Sequence, residues 1–341
     1  MRKVAIAAAL VLLVLVGGAT VAGLAVRDRL YDPYRGFESP EQFVVIEPGT
    51  GTGAIRRSLV DAGVVRDELA FRAALWWTGR ALDLQAGEYR FDRPLAAVDV
   101  VERIASGDVF TRPITFPEGL TIEEMADIFE SRGFGAAADF EAAAANPSLV
   151  RAVDAEAVDL EGYLFPETYS LPRNTPASRL VAVMVDRFLA TFVDQWHRAA
   201  EEQGLTVRQV VTLASLVEEE TGAPDERPIV AAVYRNRFRI GMRLQADPTV
   251  VYAMRQAGTY AGNIRRADLT MDSPYNTYRY AGLPPGPIAA PGAAALAAVL
   301  SPADVNYLYF VSRNDGTHAF ARTLAEHNRN VREFQVLYFR R

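Results

Sequence analysis

The sequence predicts an α+β protein: an N-terminal transmembrane helix, a small α/β module, then a larger mixed α/β domain. Three observations lead there. Val4–Val26 is an uncharged run rich in Ala, Val and Leu. As a helix it spans about 34 Å, enough to cross a bilayer core. Within residues 42–109 the hydrophobic pattern reads strand, helix, helix, strand, helix. From residue 110 onward, short alternating runs are interspersed among segments of helical period. The expected organisation is residues 1–3 as a cytoplasmic tail, 4–26 as an anchor, 27–41 as a linker, 42–109 as the module and 110–341 as the main domain.

A chain of 341 residues, half of them hydrophobic, accommodates two domains and a short extra element. The net charge of −6 gives no reason to expect nucleic acid as a partner. The absence of cysteine excludes disulfides, thiolate metal sites and a cysteine nucleophile. Arg2 and Lys3 precede the apolar run, and Arg27, Asp28 and Arg29 follow it. The run exceeds the apolar region of a signal peptide, about 7–15 residues, so an uncleaved anchor is expected. A three-residue tail before a long downstream domain favours N-in, with the rest outside.

Arg27–Glu41 is polar, with Pro33 and Pro40. Phe43–Ile46 reads as a strand. Pro48–Gly53 is Gly-rich, but no Lys-Ser/Thr follows, so the phosphate-loop reading fails. A helix through Ile55 and Leu59, a helix at Asp67–Trp77, a strand at Gln85–Phe91 and a helix at Ala96–Ile104 complete the module. Thr111–Phe116 is the next strand. Ile122–Phe129 is a helix behind a Thr121 cap, and an Ala-rich helix covers Ala136–Ala145. Leu160–Tyr169 is an aromatic-rich loop with two acids. Ser178–Gln203 reads as one long helix carrying Trp196 and His197. Arg227–Phe238 is helical, Asn306–Val311 is a strand, and Thr323–Arg332 is a helix with His327 and Asn328. His318 and His327, without an acidic or cysteine cluster, make a poor metal site; no metal and no organic cofactor are expected.

The chemistry concentrates in Val207–Thr221, a helix capped by Thr206 and closed by Gly222 and Pro224. At about 100° per residue its apolar arc is broad, and Glu219 points to water. Glu218 falls on one rim, between Val207 and Val211; Glu220 falls on the other, beside Leu213 and Leu216. A carboxyl against apolar neighbours loses hydration and holds its proton, as a general acid must. Acidic residues are disfavoured at a helix C-terminus, which argues for a use other than solubility. Downstream, Gly241–Thr249 is expected as a loop in which Pro248 pushes Asp247 towards extended geometry. Asp272–Tyr278 and Gly282–Ile288 are stiffened by Pro and Gly. Tyr275, Asn276 and Tyr278 offer the flat faces and amides that sugar rings use.

Leu213-Ala-Ser-Leu-Val-Glu-Glu-Glu-Thr221, Arg235-Asn-Arg237, Met242–Thr249, Tyr275-Asn-Thr-Tyr278 and Gly282–Ile288, in this order, resemble the endolytic murein transglycosylases, the MltG or YceG-like family. Leu160–Tyr169 and His318–Phe320 fit as well. The resemblance implies a single-pass inner-membrane enzyme facing the periplasm. It implies cleavage of the MurNAc-β-1,4-GlcNAc bond within nascent peptidoglycan, leaving 1,6-anhydro ends. It implies a LysM-like module at 42–109 and a catalytic domain at 110–341. It assigns the acid to Glu218 and work beside peptidoglycan synthases to the protein. Asn236, Gln245, Asp247, Tyr275 and Asn276 are expected to line the cleft. Two rivals stand beside this reading: a non-enzymatic wall-binding protein, and a hydrolytic muramidase using Glu218 with Asp247.

Overall fold

The N-terminal helix α1, Arg2–Tyr31, outlasts the apolar run, and its last turn is buried: Leu30 is 3% exposed. The computed structural model describes residues 2–173 and 175–338; the side chains of residues 2–9 and 11 lie outside that description. The expected anchor, Val4–Val26, therefore falls partly outside it. Among the described residues no helix is long and apolar enough to cross a membrane.

The chain folds as two units, one up to Arg112 together with Ser170–Arg173, the other from Pro113 to Tyr169 and on from Thr175. In the first, β1 (Gln42–Ile46) pairs antiparallel with β2 (Gly87–Phe91), Val44 opposite Tyr89. Helices α2 (Thr52–Asp61) and α3 (Glu68–Thr78) come between the strands, and α4 (Ala97–Ser106) follows. Alternation in the strands and the helical stripe of α4 aim Val44, Ile46, Tyr89, Phe91, Val100 and Ile104 at one core, with Leu59 and Phe71. The Asp67 side chain caps α3 by accepting from the Ala70 N–H at 2.7 Å.

Two differences from the sequence reading belong to this unit. Arg27–Glu41 is not merely a linker: α1 continues to Tyr31, and Tyr34 pairs with Leu95. Leu30, buried, and Phe37, partly buried, anchor that polar stretch into the core. The unit also reaches beyond residue 109. Glu88 is a buried acid held by Arg112 at 3.4 Å and Arg173 at 3.6 Å, which ties both segments to it.

The second unit is mainly helical. It holds α5 (Ile122–Ser131), α6 (Ala137–Ala144), α7 (Ala177–Thr191), α8 (Asp194–Glu202), α9 (Val207–Glu220), α10 (Arg227–Arg239), α11 (Asp247–Gln256), α12 (Ala293–Leu300) and α13 (Leu324–Val331). The described residues form three two-stranded sheets: β1 with β2, β3 (Thr111–Thr115) with β4 (Thr168–Pro172), and β5 (Tyr309–Ser312) with β6 (His318–Ala321). The single long helix expected over 178–203 is two. Phe192 leaves helical geometry and is buried, and Trp196 and His197 fold back onto its ring at 5.7 and 4.7 Å. Leu160–Tyr169 is core rather than surface loop. Leu160, Tyr163 and Leu164 are buried, and Gly162 at φ +81° turns the chain against Pro287 and Val211. Asp154 accepts from the Tyr163 hydroxyl and from Arg208, each at 2.7 Å.

Candidate active site

Helix α9 is the axis of the site. Thr206 and Gln209 form a reciprocal capping box at its start, and Val210–Val217 are all buried. It packs against α10 and α12. The helix stops at Thr221, which is extended, so its last turn releases three glutamates in three directions.

Glu218 turns into protein. It is ion-paired to Arg227 at 3.3 Å and accepts from the Gly292 N–H at 2.9 Å, with its side chain 6% exposed. Burial raises its pKa, and the Gly292 N–H and Arg227 oppose that. Glu219 is exposed, as the wheel predicts, but lies over the Gly119 turn. A Cβ at Gly119 would meet its carboxyl at 2.7 Å. Desolvation, with Glu124 adding repulsion, pushes its pKa up to about 7.

Glu220 turns into a cavity of about 370 Å³ shared with Arg237, Gln245, Asp247, Tyr278, His318 and His327. Burial raises its pKa; Asp247 adds to the rise, while the Tyr234 hydroxyl, His318 and Arg237 oppose it. Tyr234 donates to Glu220 at 2.9 Å and fixes the carboxyl. A carboxyl at the edge of a polar cavity, its pKa raised by burial, is the arrangement a general acid requires.

The cavity walls are fastened to one another. Arg237 donates to the Leu308 carbonyl and to the Leu244 carbonyl, both at 2.6 Å, and lies over the Tyr309 ring. Glu226 accepts from the His318 backbone N–H at 2.9 Å and shares a 2.7 Å hydrogen bond with its Nδ1. That leaves Nε2 as the ring nitrogen not engaged by Glu226. Thr277, buried, accepts from the Ala246 N–H and bonds the Thr249 hydroxyl at 2.9 Å, joining the Tyr275–Tyr278 loop to the start of α11.

Asp247 is not extended. It is the first residue of α11, and the extended residue is Ala246, because Pro248 occupies a first-turn position where no N–H is needed. Gln245, at φ +51°, makes the turn that brings Asp247 into the cavity. The Tyr278 hydroxyl donates to Asp247 at 2.5 Å.

Of the residues expected to line the cleft, Gln245 and Asp247 share the cavity with Glu220; the other three do not line it. Asn276 is fully buried and gives its amide to the Leu269 and Met271 carbonyls, so it holds a turn. Asn236 gives its amide to the Val305 and Tyr307 carbonyls beside a separate cavity. Tyr275 packs on Tyr252 at 4.8 Å. Glu218, expected as the acid, is committed to Arg227 and Gly292. The role of Glu226 had no sequence signal, since it meets His318 from 92 residues away. Among the described residues no group of three or more His, Cys, Asp or Glu is placed to hold a metal.

The fold and site define an α+β protein with an acid-bearing cavity at the end of a buried helix. The chain belongs to the YceG-like family, whose profile it matches over residues 44–333. It is 30% identical over 332 residues to the endolytic murein transglycosylase of Bacillus subtilis, covering 92% of this chain and 89% of that one. It is likewise 30% identical to the endolytic murein transglycosylase of Streptococcus pneumoniae, covering 85% of this chain and 58% of that one. A 2.6 Å crystal structure of a YceG-like protein from Listeria monocytogenes matches with a TM-score of 0.59 at 29% identity, over 85% of this chain and 98% of that one.

Proposed function

We infer that this protein is a lytic transglycosylase cutting peptidoglycan glycan strands internally, at the MurNAc-β-1,4-GlcNAc bond. The observation that carries the reading is Glu220, held by the Tyr234 hydroxyl and facing the cavity that also holds Asp247 and His318, with burial raising its pKa. Family membership and relatives named endolytic murein transglycosylases support it.

In the mechanism the Glu220 carboxyl gives its proton to the bridging oxygen. The C1–O bond breaks, and positive charge develops at the muramic C1. Asp247, fixed by Tyr278, lies in the same cavity and opposes that charge. The Glu220 carboxylate then takes the proton of the muramic C6 hydroxyl. O6 closes onto C1, giving a 1,6-anhydro end, and Glu220 regains its starting form. No water enters. Glu218 holds Arg227 in this scheme and keeps α9 seated.

Unit 1 serves as a LysM-like module that holds glycan. Its helix α1 anchors the chain in the inner membrane with the catalytic unit in the periplasm. The uncharged Val4–Val26 run supports this, as do Leu10, Leu12, Leu13, Leu15 and Leu24, all exposed along α1. That position places the cavity near nascent strands and beside their synthases.

Because Asp247 and Glu220 share one cavity, a hydrolytic muramidase is the second reading, with Asp247 activating water. Mass spectrometry of digested glycan separates the two. A 1,6-anhydro end is about 18 Da lighter than a hydrolysed end, because no water is added. Reducing ends carrying ¹⁸O from labelled water would replace the transglycosylase with the muramidase.

A further inference from the structure

Unit 1 carries an exposed aromatic patch that its core does not explain. Helix α3 buries Ala70, Phe71, Ala74 and Leu75 on one face. On its outer side Trp76 is 82% exposed and Trp77 58%, and Leu82, in the turn that follows, is 98% exposed. Large apolar groups left this exposed within seven residues of chain suit an interaction surface.

The place of the patch identifies what covers it. Trp77 meets Tyr31 edge-on at 6.5 Å, and Tyr31 is the last residue of α1. Leu30 is buried in the unit's core, and Arg29 reaches Asp67 at 3.5 Å, so α1 and α3 hold a fixed relation. The uncharged run ends at Val26. Tyr31 stands five residues further on, about 7.5 Å along a continuous helix. The polar layer on each side of a bilayer core is about 5–8 Å deep. Tyr31 and the ring against it therefore sit at headgroup depth when the run fills the core. Trp and Tyr favour that depth because their rings are apolar with one polar edge. Exposed Arg27 and Arg72 add positive charge suited to anionic headgroups.

We propose that Trp76, Trp77 and Leu82 seat unit 1 on the lipid headgroup layer of the bilayer that α1 enters. The partner is a lipid surface, so the module rests on the membrane rather than standing off it. The proposal rests on the anchor reading of Val4–Val26, and the test separates the two.

The full-length chain, with Trp196→Phe to remove the tryptophan of the other unit, is reconstituted into phosphatidylcholine–phosphatidylglycerol vesicles. One preparation carries acyl-chain-brominated lipid, a contact quencher of tryptophan. The expected result is that the protein floats with the vesicles, its emission is quenched by the brominated lipid, and its spectrum shifts to the blue. Adding Trp76→Ser leaves the remaining Trp77 emission quenched. Flotation without quenching overturns the seating while leaving the anchor intact. Failure to float overturns the anchor and the seating with it. Emission that responds to purified glycan strands but not to brominated lipid assigns the patch to glycan and also overturns the proposal.

Discussion

Exchanging the proton at one carboxyl for an amide tests which rim of α9 does the chemistry. Glu220→Gln keeps the size of the side chain and an oxygen that still accepts from the Tyr234 hydroxyl. It removes only the transferable proton. Losing a general acid costs about 10²–10⁴-fold in rate, or about 2.7–5.5 kcal/mol of transition-state stabilisation at 1.36 kcal/mol per decade. The thermal midpoint should hold or rise, since the amide removes a titratable group whose charged form burial disfavours. Glu218→Gln behaves in the opposite way. It leaves Arg227, whose side chain is 13% exposed, without its counter-charge. Breaking a buried pair costs about 3–5 kcal/mol at the upper end. At about 2–4 °C per kcal/mol for a unit of 150–250 residues, the midpoint should fall by several degrees. Turnover per folded molecule should stay within about threefold. The assay is release of soluble muropeptides from purified peptidoglycan, paired with calorimetry of each variant. A folded Glu218→Gln with turnover down a hundredfold, beside a Glu220→Gln near wild type, would refute the reasoning.

Asp247 raises the proton affinity of Glu220, so Asp247→Asn should move the alkaline limb of the rate profile to lower pH, read from kcat/KM against pH. Glu161 is buried, and desolvation lifts its pKa from 4.5 to about 8 while the Ile122 N–H opposes the rise. A raised carboxyl contributes stability that is full below its unfolded value and lost as pH climbs through the folded one, so stability should decline between about pH 4.5 and 8; urea midpoints across that range should flatten in Glu161→Gln. Gly162→Ala places a methyl 2.4 Å from Pro287 at a φ of +81°, and should cost about 1–3 kcal/mol in urea unfolding. Thr277→Val removes the hydroxyl that joins the loop to α11; activity should drop more than stability, and an unchanged KM and kcat would count against the cavity as the site.

How much of this could be read from sequence follows from the range of each interaction. Helix α9 was legible because its cap, apolar arc and stop signals lie within about twenty residues. The wheel also separated Glu219 from its neighbours. It could not tell apart the surroundings of Glu218 and Glu220, which occupy opposite rims, because packing outside the helix brings Arg227 to one and a cavity to the other. The break at Phe192 was hidden because the apolar pattern continues through it; only the packing of Trp196 and His197 on that ring reveals a turn. Asp247 misled because a residue before proline is usually extended, but helical starts accept that proline. Asn276 reads as a sugar ligand by composition and is consumed by backbone carbonyls that no local pattern announces. The Glu226–His318 contact joins segments 92 residues apart and left no trace in either.

The single guanidinium of Arg237 ties Leu308, which leads into β5, to Leu244, which leads into α11. Two walls of the cavity thus share one guanidinium, in addition to the ties that Asn236, Glu226 and Thr277 make to one wall or the other. Segments that share a latch open as one cooperative unit. The backbone amides around Leu244 and around Leu308 would then exchange with solvent at a common rate, set by departure of Arg237 rather than by global unfolding.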